Sequence, residues 1–490
     1  MKSRQIIINA IMSVVQTISL GFILFVLYRF LVGTIGVKGL GIWSLILATT
    51  SVAHIANLGI ATSVTKLVAK YTATKENENV SRAIETSTVL LGSLTGFVLL
   101  ISYPVLKKIL SFVVDIESLP QALAILPHAV TAFWLMTLLS IFLAALDGLQ
   151  RIDLRSTALI GSAILNLILC VLLAPTYGLK GVAYARLAQT FLTLIVVWVA
   201  LKFYVKLSFL PWRCNKKLFG EMIRYGIKYQ TISVATMLYD PLTKAMLSKF
   251  GCISMVGYYE MINRLIQQFR ALIVSTNQVL FPTIAQLYEN QPHKINSIYT
   301  ASYQLLFYLS VPMYAIIIIF LPGLSKVWIG QYESIFVNFG IFLSFGWLLN
   351  TLSSPAYFTY LGTGKLRWNI VGHIAIAAIN IILGPLFGLF FDGNGVVLAW
   401  AISLALGSCL IYFPYHLQNN ISLFELIPKG SRLLLGLCML GALLFYITSN
   451  KFSHPLIIES ISVLLIFCGL WFNPMRMRLK RWIFNGLLNK

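Results

Sequence analysis

Residues 148–185, GLQRIDLRSTALIGSAILNLILCVLLAPTYGLKGVAYA, lie without a gap over residues 362–399, GTGKLRWNIVGHIAIAAINIILGPLFGLFFDGNGVVLA. Apolar composition alone would give many of the matches. It would not easily give Gly148 over Gly362, Arg151 over Lys365, Asn166 over Asn380 and Gly181 over Gly395. Self-similarity at a fixed offset, here about 214 residues, marks a duplicated unit. A second echo, shifted by one, sets Arg29 and Gly36 against Lys244 and Gly251, each pair seven residues apart. After it, Gly41-Ile42-Trp43 resembles Gly257-Tyr258-Tyr259, with one inserted residue.

What is duplicated is a set of membrane helices. The chain is 58% hydrophobic and 11% charged with a mean hydropathy of +0.84, whereas soluble proteins carry about 25% charged residues. Crossing about 30 Å of hydrocarbon at 1.5 Å per residue takes roughly 20 apolar residues. Fourteen runs qualify, near 6–32, 39–62, 83–106, 120–146, 156–174, 180–204, 222–248, 254–284, 297–323, 333–361, 368–390, 394–417, 431–448 and 454–472. Six fall in each copy, and six is even, so both copies enter the membrane the same way round. Such parallel repeats are related by an axis along the membrane normal, with a substrate cavity expected between them. The predicted fold is an all-α polytopic membrane protein of two parallel six-helix repeats plus two C-terminal helices. The predicted domains are an N-terminal lobe (1–205), a basic cytoplasmic linker (206–221), a C-terminal lobe (222–417), and the last two helices with a basic tail (418–490).

The net charge of +22 invites a nucleic-acid reading, but its distribution argues for a membrane. Lys202, Lys206, Arg213, Lys216, Lys217, Arg224 and Lys228 cluster in the loop joining the sixth and seventh spans and at the adjoining span ends, and Arg476, Arg478, Lys480 and Arg481 follow the last. This is the positive-inside bias of a multi-pass protein with both termini cytoplasmic. The first span follows Met1-Lys2-Ser3-Arg4 but exceeds a signal-peptide core and lacks a small-residue cleavage site, so it reads as retained. Six scattered cysteines without a CxxC point to packing, not to disulfides or a metal. Segments between spans reach only about 20 residues, too little for a catalytic domain. Gly362-Thr363-Gly364-Lys365 lacks the upstream glycine and the Ser/Thr of a phosphate-binding loop. No enzyme activity and no cofactor is expected.

The eighth span, MVGYYEMINRLIQQFRAL over 255–272, carries the charges that matter most. Arg264 falls about 15 Å into the bilayer, where an arginine costs at least about 2.5–3.5 kcal/mol and needs a partner or ligand. Glu260, four residues earlier, is the obvious partner. Two readings stand: an internal salt bridge, or a surplus cation serving an anionic headgroup. Arg270 lies deeper and can snorkel. Arg29 and Lys244 occupy matching places in the first and seventh spans, and Arg186 is a further cation inside the sixth. Asp240, beside Pro241, either pairs with Lys244 or helps hold a coupling ion on freed carbonyls. Asn166 and Asn380 suit interhelical hydrogen bonds. His54, Asn57 and His373 are weak polar signals.

These residues, together with Asn57-Leu58-Gly59, Arg224-Tyr225-Gly226, Asn263-Arg264-Leu265 and Leu280-Phe281-Pro282, resemble the polysaccharide transporter family over the whole chain. These are the Wzx-type O-antigen and capsule flippases of the superfamily that includes MATE multidrug exporters and lipid II flippases. The resemblance implies a carrier in the bacterial cytoplasmic (inner) membrane. It would move an undecaprenyl-diphosphate-linked oligosaccharide from the inner to the outer leaflet by alternating access, for O-antigen, lipopolysaccharide or capsule assembly. It implies a substrate-binding set of Arg264, Arg270 and Arg29 with Glu260 and Lys244. Further implied partners are a polysaccharide polymerase and chain-length proteins, while a coupling cation at Asp240 rests on the carbonyls freed beside Pro241. In lipid II flippases cavity cations come from the first, second and eighth helices; here the second offers only His54 and Lys66. The alternative, a MATE-like cation-coupled exporter, calls for an acidic cavity, and among 15 acids the candidates for one within the spans are Asp240, Glu260 and Glu85.

Overall fold

The computed structural model describes residues 3–51, 59–205, 218, 220, 236–237, 239–278, 280–448 and 455–477. His54, Asn57, Arg224-Tyr225-Gly226, nearly all of the 206–221 loop and the tail beyond 477 lie outside them. The described residues are helical and contain no strand. The helices are α1 (Ser3–Ser51), α2 (Ile60–Ala73), α3 (Asn77–Val113), α4 (Leu119–Gly148), α5 (Ile152–Tyr177) and α6 (Leu179–Lys202). Then come α7 (Tyr239–Phe250), α8 (Ile253–Gln278), α9 (Leu280–Asn290), α10 (Ile295–Ile329), α11 (Ser334–Leu352), α12 (Ser354–Thr363) and α13 (Arg367–Gln418). A single turn, α14 (Leu423–Leu426), precedes α15 (Lys429–Thr448) and α16 (Pro455–Phe472). The fold is that of a multi-pass membrane protein of about fourteen spans, as the hydropathy predicts. Two of the long helices each contain two spans. The first and second meet in α1 at Gly36 (φ 71°, ψ 171°), and the eleventh and twelfth meet in α13 at Phe391 and Asp392.

The duplication is written in the backbone. Gly178, between α5 and α6, has φ 56° and ψ −133°; Asp392, its mate in the sequence overlay, has φ 53° and ψ −144°. Gln150 (φ 59°) and its mate Gly364 (φ 72°) are likewise both left-handed. After the 178 and 392 turns the chain returns close against itself. A Cβ on Gly181 would overlap the Leu173 carbonyl, and one on Gly395 would overlap that of Phe387, again a matched pair. A helical hairpin that reverses in so few residues needs a left-handed residue at the turn and no side chain where the backbones touch.

The chain divides into two compact units, Met1–Glu260 and Met261–Lys490. Repeat copies follow the sequence and compact units follow packing, so the two boundaries differ. The first unit takes in α7 and the opening turns of α8 because α7 packs on α1 and α3; Ser248 Oγ donates to the Val113 carbonyl at 2.5 Å. Its main core joins α2, α3, α4 and α6 around Ile60, Val64, Ile84, Leu91, Ile141 and Val197. The second unit is built on α10, α13, α15 and α16, with Tyr299, Tyr303, Tyr412, Tyr415, Leu434 and Ile466 at its centre. Large apolar side chains such as Ile382, Leu389 and Phe390 point outward, as a lipid-facing surface requires.

Candidate functional site

In the first unit, two glycines create the setting. A Cβ on Gly41 would overlap the Ile253 carbonyl, and a Cβ on Gly257 would overlap the Val37 carbonyl. The second half of α1 and the start of α8 therefore cross backbone to backbone, each supplying a glycine to the other. Three residues beyond each glycine stand Ser44 and Glu260, brought face to face by the crossing. Ser44 Oγ donates to Glu260 Oε2 at 3.0 Å, and the Tyr28 hydroxyl donates to Oε1 at 3.1 Å.

Lys244 completes this cluster. One helical turn after Asp240, its ammonium pairs with Asp240 and reaches Glu260 Oε2 at 2.7 Å. Lys244 is 1% exposed and Glu260 5%. A carboxylate and an ammonium buried so completely are tolerable only as a pair with their remaining hydrogen-bonding capacity used. The cluster ties α8 to α7 and to both halves of α1. It also revises two expectations. The ion pair seen on Glu260 is with Lys244, from another helix, whereas helix spacing had pointed to Arg264. Lys244 and Arg29, matched in sequence, do not share surroundings: Lys244 is buried and Arg29 is exposed. The residue that reaches Glu260 from the first span is Tyr28.

The second unit holds Arg270. Its Nη2 donates to Asn350 Oδ1 of α11 at 2.7 Å, and Asn350 Nδ2 donates to Ser408 Oγ of α13 at 2.9 Å. The guanidinium carbon lies 4.9 Å from the centre of the Trp347 ring. That ring donates through Nε1 to Asn263 Oδ1 at 2.9 Å and packs edge-on against Trp400. Arg270 Nε is buried without a hydrogen-bond partner, and among the described residues no carboxylate lies within ion-pair distance of Arg270. Among the described residues the cation is thus held by a neutral amide and an indole face, which orient it and bring no negative charge to it. That arrangement suits an oxyanion, since charge-assisted bonds to a guanidinium fork strengthen out of water.

Arg264 lies exposed on α8. Lys66 is exposed as well, and Glu85 is buried in α3. Asn166 is half-buried and its Oδ1 has no hydrogen-bond partner, so it does not make the expected interhelical bond through that atom. Asn380 is fully buried, and His373 sits edge-on to Tyr357 at 5.7 Å. Sequence reasoning passed over Tyr28, Ser44, Trp347, Asn350 and Ser408. Ser44 was readable from the duplication, as the residue matching Glu260. Asn350 was readable as an amide in an otherwise apolar span. Tyr28, Trp347 and Ser408 carried no signal that set them apart from neighbours of the same type.

Residues 26–334 match a family model described as polysaccharide biosynthesis protein. No curated protein matches the chain in sequence. Among solved structures, the chain is similar to an inward-facing multidrug resistance MATE family transporter of the MOP superfamily. The TM-score is 0.73 at 14% identity, covering 83% of this chain and 98% of that one. It is equally similar to the lipid II flippase MurJ in an inward closed conformation, with a TM-score of 0.72 at 13% identity over 94% of this chain and 98% of that one. A MOP superfamily transporter from Pyrococcus furiosus, described by the reverse polarity of its binding pocket, has a TM-score of 0.55 at 14% identity over 85% and 94%. At these identities the likeness is one of fold. The flippase match covers more of this chain than the residues before 418 amount to, so it includes part of the last two helices.

Proposed function

Because the chain belongs to the polysaccharide biosynthesis protein family, whose model spans more than half of it, we propose that it is a flippase. Its cargo is an undecaprenyl-diphosphate-linked oligosaccharide, carried from the inner to the outer leaflet of the bacterial inner membrane for O-antigen, capsule or a related polysaccharide. The observation that supports this most is Arg270, a cation held in the second unit by Asn350 and Trp347 alone among the described residues. A purely structural arginine in a membrane protein is expected to face a carboxylate or snorkel to the headgroups. One held by neutral groups is ready to receive an anion, and a diphosphate is the anionic part of a lipid-linked sugar. Arg264 and Arg29, both exposed, serve as further contacts in this reading, while Lys244 and Glu260 hold the helices that carry them. No covalent step is required, so the protein acts as a carrier and not as an enzyme. Each unit has its own core, which suits rigid-body alternating access. Asp240, already on Lys244, is the site where a coupling cation would act.

The test is deletion in the native host, following the lipid-linked oligosaccharide in each leaflet with an added glycan-binding probe. Accumulation on the inner leaflet with loss of surface polysaccharide, restored by the wild type and not by Arg270→Ala, is the expected result. Normal surface polysaccharide with altered sensitivity to cationic drugs would replace the proposal with the exporter alternative.

A further inference from the structure

The last two helices of the second unit meet at one end in a group of cations that the Arg270 site does not use. Two side chains of α10, one turn apart, bring its parts together. Gln304 Nε2 donates to the Glu425 carbonyl of α14 at 2.8 Å, and the Tyr308 hydroxyl donates to the Leu470 carbonyl of α16 at 3.2 Å. The start of α15 and the turn after α16 also touch, for a Cβ on Gly430 would lie 2.6 Å from Pro474 Cδ. Each anchored segment carries an aromatic ring with a guanidinium over it. The Arg432 guanidinium carbon lies 4.6 Å from the centre of the Phe424 ring, and that of Arg476 lies 3.9 Å from the centre of the Trp471 ring.

The charges here run against the helix. α15 carries Lys429 and Arg432 in its opening turn and no acid there. A helix N-terminus has a partial positive charge and amides that the helix itself cannot satisfy, so it favours an anion and disfavours cations. Arg476 brings a further positive charge to the junction, and Arg432 is fixed by its Nε, which donates to the Ile427 carbonyl at 2.8 Å. Among the described residues no carboxylate lies within ion-pair distance of Lys429, Arg432 or Arg476.

An independent feature calls for an acceptor at the same place. Asn473 is 4% exposed; its Oδ1 accepts from the Met475 amide at 2.9 Å, while its Nδ2 is buried without a hydrogen-bond partner. A buried donor of this kind is costly until an acceptor reaches it. Asn473 directly precedes the Pro474 that meets Gly430, so the open donor stands beside the first turn of α15. Phe424, Trp471 and Phe472 around it are all exposed, as rings at the headgroup level of a bilayer are.

We propose that the junction of α14, α15 and α16 is a binding site for the phosphodiester of an anionic phospholipid. Arg432 and Arg476 take the phosphate as guanidinium forks, Lys429 adds charge, and the α15 amides and Asn473 Nδ2 donate to its oxygens. The exposed rings favour a lipid over a soluble phosphate, because a headgroup held here lays its acyl chains against Trp471 and Phe472. An anionic lipid is favoured over phosphatidylcholine, whose own ammonium would meet three cations.

The test uses the full chain in detergent micelles, with bound lipid counted by native mass spectrometry and stability followed by melting temperature. The probes are dioleoylphosphatidylglycerol, dioleoylphosphatidylcholine and inorganic phosphate. The wild type should hold phosphatidylglycerol about tenfold more tightly than phosphatidylcholine, the scale of one or two basic residues at an anionic surface. Phosphatidylglycerol should raise its melting temperature and inorganic phosphate should not. Arg432→Gln/Arg476→Gln should abolish the preference, and Arg432→Lys/Arg476→Lys should keep part of it. Asn473→Asp retains the acceptor for the Met475 amide and replaces the open donor with a carboxylate oxygen, so it should weaken phosphatidylglycerol binding with a lipid-free melting temperature close to wild type. Lys107→Gln, which removes an exposed cation that also lies over an aromatic ring, Tyr103, should leave the preference intact. A wild type without the preference, a double glutamine variant that retains it, or a Lys107→Gln variant that loses it overturns the proposal. Equal stabilisation by inorganic phosphate overturns the choice of a lipid, and an Asn473→Asp variant that binds as wild type does overturns the part assigned to Asn473. No readout depends on cargo transport, so the flippase reading stands or falls separately.

Discussion

Ser44 donates a hydrogen bond to Glu260 at 3.0 Å, and the two residues occupy matching places in the duplicated sequence, each three residues beyond the glycine of the crossing. One copy supplies a hydroxyl and the other a carboxylate, and the asymmetry admits Lys244. A locally symmetric crossing has thereby become a charged fastening on one side only.

That fastening predicts unequal costs for its members. Removing one partner leaves a buried charge uncompensated, a loss of about 3–5 kcal/mol. Glu260→Ala should therefore sharply reduce folded protein in the membrane and its melting temperature. The double variant Lys244→Met/Glu260→Gln, which removes both charges, should recover a large part of the loss. Equal destabilisation by the double and the single variant would show that the pair is not what holds the helices.

The crossing itself tolerates no side chain. Gly41→Ala and Gly257→Ala each drive a methyl into a backbone carbonyl, which flexible side chains cannot relieve; overpacking of this kind costs about 1–3 kcal/mol or more. Gly33→Ala, with nothing within 4 Å of its added Cβ, should be neutral or slightly stabilising through helix propensity. Thermal unfolding in detergent would separate the three.

Transport should depend on Arg270 more than stability does. Arg270→Ala should lower transport by about a hundredfold, the scale of losing a charge-assisted hydrogen bond in a dry site, with membrane levels near wild type. Arg270→Lys should retain a fraction of activity, since an ammonium keeps the charge but not the fork. Asn350→Ala should fall between wild type and Arg270→Ala. Leaflet-resolved assays with quantified membrane protein would check all three.

Asp392 is an L-residue in a conformation that its repeat mate Gly178 adopts freely. Non-glycine residues in such regions cost about 1–3 kcal/mol. Asp392→Gly should raise the melting temperature by a few degrees, and Gly178→Ala should lower it. An unchanged or lower melting temperature for Asp392→Gly would mean that its side chain contributes more than the backbone strain costs.

Much of the fold was legible along the chain, because hydropathy and repetition are one-dimensional properties. The apolar runs counted the spans, and the overlay of 148–185 on 362–399 located matched turns down to the left-handed residue at 178 and 392. The parity of six spans per copy is what leads to the expectation of parallel copies.

The site was only partly legible. Glu260, Lys244, Asp240 and Arg270 stood out as charges in apolar surroundings, and spacing on one helix suggested Arg264 as the partner of Glu260. The sequence by itself determined a duplicated, multi-pass membrane helix protein and named its buried charges. The tertiary structure decided which charges meet. Lys244 and Arg29 have the same spacing to a glycine, yet one is enclosed by two carboxylates and the other is exposed. Burying an ammonium takes a carboxylate a few ångströms away on a different helix, and that distance is set by where two glycines let the backbones cross.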